Sequence, residues 1–242
     1  MEIKAIATDL DGTITNRIGI INLDALKRIR LLQKNNIPVI IVSGQNIYSA
    51  STLSYYMGAS NFTVAENGGV ISYFFSKHTL LGSRKPAEDG LEALKSKFGN
   101  KICLTSNSHL RYRDITLQKR FNLRLAREYL ENQKIEAKLL DSSYIFHILD
   151  KTISKGHGLI ECIKIYNEKQ NPIEPIQLNN IVSIGDAEND QDMLNVTGYS
   201  IALRHSPKSL RESADFVTTK RYGNGFCEAI DYVIKVFNLD LK

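Results

Sequence analysis

Short apolar runs that stop at polar residues set the frame for this chain. The stretch "KAIATDLDGT" runs into Asp9 and Asp11, "IPVIIVSG" into Ser43 and Gly44, and "NNIVSIGDAEND" into Asp186. A continuous apolar run marks a strand buried on both faces, as in a parallel sheet covered by helices. Segments of helical period lie between and after these runs. One spans 22–35, with Leu23, Leu26, Ile29 and Leu32 in period and Asn22 as its cap. Others fit 46–57, which stops at Gly58, then 155–167 and 224–237. Further strands are expected near 62–65, 69–75, 199–203 and 215–219.

The middle third lacks the buried runs. Its pattern predicts a helix over 87–98, a strand over 101–105, a basic helix over 116–132 and a hairpin of strands over 135–140 and 143–149. The expected fold class is therefore α/β, a doubly wound parallel sheet interrupted by an inserted α+β cap. The expected division is core over 1–81, cap over 82–152 and core again over 153–242. Ligands of such sheets gather at the carboxyl ends of the strands. Asp9, Ser43 and Asp186 all stand there.

Composition narrows the classes. Hydrophobic residues make up 43% of the 242, enough for a real core. The net charge is +5, and residues 101–138 carry all of that excess, with nine Lys/Arg against four Asp/Glu. A basic excess confined to one segment suits a surface that attracts an anion. Cys103, Cys162 and Cys227 are scattered and odd in number, so neither a disulfide framework nor a zinc site is indicated. No signal peptide or membrane span is visible, and the expectation is a soluble, cytoplasmic chain with no membrane partner. Sparse aromatics in the basic segment and the lack of a Walker or GxGxxG loop argue against nucleic-acid and nucleotide binding.

Asp9 and Asp11 lie one residue apart. Carboxylates that close repel unless a proton or a cation sits between them, and a hard dication such as Mg2+ suits oxygen ligands. Asp-Gly alone is an ordinary turn. The second acidic strand end, with Asp186, Glu188, Asn189, Asp190 and Asp192, makes a metal site the better reading. Ser43 and the Gly44 N–H, at a strand end near a helix start, suit a phosphoryl oxygen. Lys155 opens a helix, where the dipole disfavours a cation, which points to a use for it.

In order, "DLDGT" at 9–13, "VSG" at 42–44, Lys155 and "GDAEND" at 185–190 resemble the four motifs of the haloacid dehalogenase-like phosphohydrolases. The inserted block falls where the Cof-type members of that family carry their cap. The short cap and "ENGG" at 66–69 look most like the archaeal phosphoglycolate phosphatases.

The resemblance implies Asp9 as nucleophile, forming an aspartyl-phosphate, and Asp11 as general acid and then base. It implies Mg2+ held by Asp9, Asp11 through its carbonyl, Asp186 and Asp190, with orientation of Lys155 as the alternative task of Asp190. It implies phosphate contacts from Ser43, Gly44, Lys155 and Asn189, with Leu10 adding a backbone donor and Thr13 positioning Asp11. Arg111 or Arg113 of the cap is expected to hold a substrate carboxylate, with Glu66 and Asn67 either touching substrate or forming a turn. His157 is expected on a helix surface. A small phosphorylated substrate is the expected partner, 2-phosphoglycolate first, and a homodimer is possible. Rival readings are a phosphatase of phosphosugars or phosphoglycerate derivatives, a phosphomutase, and a receiver-like signalling module. Dehalogenation is disfavoured because a halide needs no proton from Asp11.

Overall fold

From its start the chain alternates strand and helix. The structure, a computed structural model, describes residues 1–75, 78–142 and 144–242. The first stretch holds β1 (Ala5–Thr8), α1 (Leu23–Lys34), β2 (Val39–Val42), α2 (Ile47–Met57), β3 (Phe62–Ala65), β4 (Val70–Tyr73) and β5 (Thr79–Leu80). The pattern returns with α5 (Lys155–Gln170), β9 (Ile181–Gly185), α6 (Gln191–Val196), β10 (Tyr199–Ala202), α7 (Lys208–Ser213), β11 (Phe216–Val217) and α8 (Tyr222–Val236). Their strands form one sheet in the order β11-β10-β9-β1-β2-β3-β4-β5, parallel except where β4 pairs with β3 and β5.

Alternation along each strand assigns its two faces. Ile6, Val39, Ile41, Val182 and Ile184 pack with Ile29 and Leu32 of α1 and Phe226 and Ile230 of α8. Ala5, Ala7, Ile40, Val42 and Val64 pack with Leu159 and Ile163 of α5 and Met193 of α6. The expected doubly wound sheet is thus what the chain forms. β1 lies between β2 and β9, with Thr8 opposite Ile41 and Ile184, so the loops after all three strands meet at one edge. Helix ends follow local chemistry. Asn22 caps α1 by accepting the Asp24 and Ala25 N–H groups, and Gly58 ends α2 in the left-handed region at φ 73°.

The inserted block comprises α3 (Lys85–Phe98), β6 (Ile115–Leu117), α4 (Leu123–Asn132), β7 (Ala137–Asp141) and β8 (Phe146–Asp150). Its three-stranded antiparallel sheet, in the order β6-β8-β7, packs Leu117, Leu139 and Ile148 against Leu94 of α3 and Leu130 of α4. Two expectations for this block fail. The segment 101–105 forms no strand, only a single bridge from Leu104 to Leu117; its first residue, Lys101, belongs instead to a 3-10 turn over Gly99–Lys101. The helix expected over 116–132 begins at Leu123; Ile115–Leu117 are instead paired with β8, and Asn122 caps the helix by accepting the Leu125 N–H. Position 143, expected to open the second hairpin strand, lies outside the described residues.

Candidate active site

The loop leaving β1 carries Asp9, which is buried, and Asp11, which is half-buried. It turns tightly at Gly12, with φ +89°, and a Cβ there would stand 2.6 Å from Asp186 Oδ2. Glycine therefore lets the acids after β1 and β9 come together. Lys155 opens α5 and is 1% exposed; its ammonium donates to Asp9 Oδ1 and to Asp190 Oδ1, each at 2.6 Å. Burial alone would lower the Lys155 ammonium, but the charges of Asp190 and Asp9 raise it above the ordinary lysine value. Those same carboxylates offset the unfavourable helix dipole.

Asp190 has both oxygens engaged, because Oδ2 accepts the Asp186 and Ala187 N–H groups at 2.9 Å. Asp186 accepts from the Thr13 hydroxyl at 2.7 Å and has His205 Nε2 at 3.3 Å. The sequence expectation was that Thr13 positions Asp11; its hydroxyl bonds to Asp186 instead. Asp11 is held by Gln45 instead, whose amide donates to Oδ2 at 2.7 Å. Carboxylate oxygens of Asp9, Asp186 and Asp190 lie within 4.8 Å of one another. Burial pushes the Asp9 carboxyl well above its usual range; Lys155 opposes this, and Asp190, Asp186 and Asp11 add to it. Asp190 is raised as well, by burial, with Lys155 opposing. Acids this close, with one ammonium among them, form a site short of positive charge.

A cavity of ≈ 330 Å³ opens over Asp9 and Asp11, walled by Gly44, Gln45 and Asn189 from the core and by Arg111, Ser142, Tyr144 and His147 from the cap. The Ser43 hydroxyl lies beneath that wall, fully buried, and accepts the Gln45 N–H at 3.1 Å. Asp186 faces a neighbouring hollow of ≈ 390 Å³ with Glu188 and His205. His157 is half-buried along α5.

Of the two cap arginines, Arg111 reaches the cavity. Its Nη1 donates to the Gly44 carbonyl at 3.0 Å and to both oxygens of Asp114, at 2.7 and 2.8 Å. Its Nε, also buried, has no hydrogen-bond partner among the described residues. Arg113 does not line the cavity; its Cβ lies close over Gly69. Burial would raise the Asp114 carboxyl, yet the Arg111 guanidinium and the His147 ring hold it below the usual carboxylate range. His147 Nδ1 lies 2.6 Å from Asp114 Oδ2 and Nε2 lies 2.9 Å from Ser142 Oγ.

"ENGG" lies beneath this network and lines no part of the cavity. Glu66 and Asn67 have φ 52° and 55°, and Gly68 has φ 102°, a run of left-handed residues just after β3. The Glu66 carboxylate accepts the N–H groups of Tyr112, at 2.9 Å, and Arg113, at 2.7 Å. Asn67 Oδ1 accepts from Asn189 at 2.9 Å, and Asn67 Nδ2 lies 3.1 Å from His147 Nδ1. Substrate contact, one of the two roles expected for these residues, is not what the geometry provides. Gln45, Asp114, His147 and Tyr144 are the site residues that sequence reasoning missed. Gln45 had a faint signal, sitting two residues after Ser43 at a strand end; the others had none.

The family model for haloacid dehalogenase-like hydrolases matches residues 6–142 and 119–230. The chain belongs to this family. Its relatives include proteins named phosphoglycolate phosphatase from Methanosarcina acetivorans, 32% identical over 96% of this chain and 97% of the relative, and from Methanothermobacter thermautotrophicus, 32% identical over 94% and 97%. The crystal structure of Thermoplasma acidophilum 0175 superposes with a TM-score of 0.82 at 20% identity, covering 98% of this chain and 99% of that one. In this hydrolase the acids after β1 and β9 occupy the strand ends that the sequence singled out. Among the described residues no helix is long and apolar enough to cross a membrane.

Proposed function

We propose that this hydrolase is a Mg2+-dependent phosphatase of small phosphorylated acids, with 2-phosphoglycolate as its leading substrate. The observation that carries the reading is the separate fixing of two adjacent acids at the cavity floor: Asp9 by Lys155 and Asp11 by Gln45. Two carboxyl groups one residue apart can then do different work. An Asp9 oxygen forms a bond to phosphorus as the ester P–O bond breaks. Asp11 gives its proton to the leaving alkoxide. Asp11 then takes a proton from the water that attacks the aspartyl-phosphate, which releases phosphate and restores Asp9. Lys155 and the Gly44 N–H face the anionic phosphoryl group.

The donor set fits Mg2+. Asp9 and Asp186 offer hard oxygen ligands in a cluster short of positive charge, with the Asp11 carbonyl as a third, whereas Asp190 has both oxygens committed. When bound, the ion lessens repulsion between the anionic phosphate and the Asp9 carboxylate. Arg111 supports an acidic substrate, because it brings a guanidinium to the cap end of the cavity, with a buried Nε that has no partner among the described residues. The relatives named phosphoglycolate phosphatase support the two-carbon acid in particular.

A phosphate-release screen over phosphoglycolate, phosphoglycerates and phosphosugars, with and without Mg2+, tests the reading. Release is expected to be greatest with 2-phosphoglycolate, to require Mg2+, and to vanish in Asp9→Asn. Turnover surviving in Asp9→Asn would remove the nucleophile assignment. A phosphosugar turned over in preference to every phosphorylated acid would remove the substrate class.

A further inference from the structure

We infer that Glu66 is a positioning residue: its buried carboxylate clamps the cap backbone at 112–114 and so sets where Arg111 stands in the cavity. The residue is fully buried, lines no part of the cavity and spends its carboxylate on main-chain donors of another domain layer. Tyr112 N–H reaches both oxygens, at 3.1 and 2.9 Å, Arg113 N–H reaches Oε2 at 2.7 Å, and Asp114 N–H lies 3.4 Å from Oε2. Hydrogen bonds to a charged acceptor are stronger than neutral ones, and a buried carboxylate left without them would be costly.

The clamp is held from below. Glu66 N–H donates to the Gln45 carbonyl at 2.9 Å and Asn67 N–H to the Ser43 carbonyl at 3.2 Å. A Cβ on Gly68 would meet the Ser154 carbonyl at 1.8 Å, directly before Lys155. A left-handed backbone at two consecutive non-glycine residues is unfavourable and persists only where surrounding contacts impose it. Here it turns the Glu66 side chain toward the cap while the backbone stays bonded to the loop after β2. The clamp therefore ties the segment bearing Arg111 to the strand end bearing Gly44, whose carbonyl Arg111 also holds. Arg84 secures the other side by donating to the Arg111 carbonyl.

The kinetic part of the test rests on the reading of Arg111 above; the exchange part does not. In Glu66→Gln one acceptor oxygen becomes a donor facing the same N–H groups. Amide exchange at 112–114 is expected to quicken about tenfold or more, the equivalent of one charge-assisted hydrogen bond. KM for 2-phosphoglycolate should rise by on the order of tenfold, with kcat on p-nitrophenyl phosphate unchanged. Gly69→Ala provides a second variant that leaves the carboxylate intact. Its Cβ would stand 2.7 Å from Arg113 Cβ and displace the same segment, so the same split between substrates is expected. Unchanged exchange at 112–114 in Glu66→Gln would overturn the clamp. Equal losses on both substrates in both variants would overturn its positioning role. Wild-type enzyme inactive on 2-phosphoglycolate, with faster exchange in Glu66→Gln, would defeat the substrate reading and leave the clamp standing.

Discussion

On the core side of the site, Asp9, Asp186 and Lys155 hang from the ends of strands and a helix. On the cap side, Arg111, Asp114 and His147 hang largely from one another. The core acids stand where β1 and β9 stop side by side in parallel register, so regular backbone delivers them before any side chain makes contact. The cap residues come from the segment before β6 and from β8, and a buried ion pair with a ring against it holds them in place. The core end thus gains its precision from the sheet, and the cap end from a polar network and the Glu66 carboxylate. A sheet of this kind can keep its chemistry while the cap end is rebuilt for another leaving group.

The sharpest way to break this comparison is Lys155→Met. Removing the ammonium leaves Asp9 and Asp190 buried and facing each other, and loss of one partner from a buried ion pair is expected to cost about 3–5 kcal/mol. Turnover should fall by on the order of 10³-fold with the loss of a charge at the phosphoryl group. Chemical denaturation and phosphate release measure the two effects. A stability loss under about 1 kcal/mol would mean that the acids sit protonated and that charge pairing does not organise the core end.

The next test titrates the junction between the two ends. Burial, helped by the Asp114 charge and opposed by the Arg113 and Tyr112 N–H groups and by Arg111, pushes the Glu66 carboxyl from 4.5 up to about 7. The folded protein therefore binds this proton more tightly than the unfolded chain does. Stability from this group is full below about pH 4.5 and is lost as pH rises to about 7, by roughly 3 kcal/mol at 1.36 kcal/mol per unit. Denaturation midpoints taken across that window should fall more steeply in the wild type than in Glu66→Gln. Parallel slopes would place the Glu66 carboxyl near its ordinary value and remove the cost of keeping the clamp charged.

The same contrast explains what was legible in the sequence. Asp9, Ser43 and Asp186 announced themselves because a buried strand can be seen stopping, and the polar residue at its end then stands out. Lys155 stood out for opening a helix against the dipole. Nothing local marks Asp114 or His147. His147 sits between the apolar Phe146 and Ile148 of β8, and its partner Asp114 is 33 positions away. "ENGG" was readable as a turn, but the recipients of the Glu66 carboxylate begin 46 residues later, and only the tertiary fold brings them near. The cap's secondary structure was misread for a related reason. A basic stretch with helical period concealed Ile115–Leu117, whose pairing with β8 outweighs local propensity.

The smallest predicted effect compares one kind of helix cap in the two regions. Asn122 accepts the Leu125 N–H at 3.1 Å to start α4 in the cap, and Ser154 accepts the His157 N–H at 3.2 Å to start α5 in the core. Alanine at either position should cost about 1 kcal/mol, the usual value of such a cap. The consequences for activity should diverge. Asn122 lies beside no cavity residue, so Asn122→Ala should leave kcat on p-nitrophenyl phosphate unchanged. Ser154 immediately precedes Lys155, so Ser154→Ala should lower that kcat, because fraying the first turn of α5 loosens the ammonium that fixes Asp9. Equal kcat in the two variants would show that Asp9 and Asp190 position Lys155 without help from the helix start. The core end would then be held by its side chains, as the cap end is.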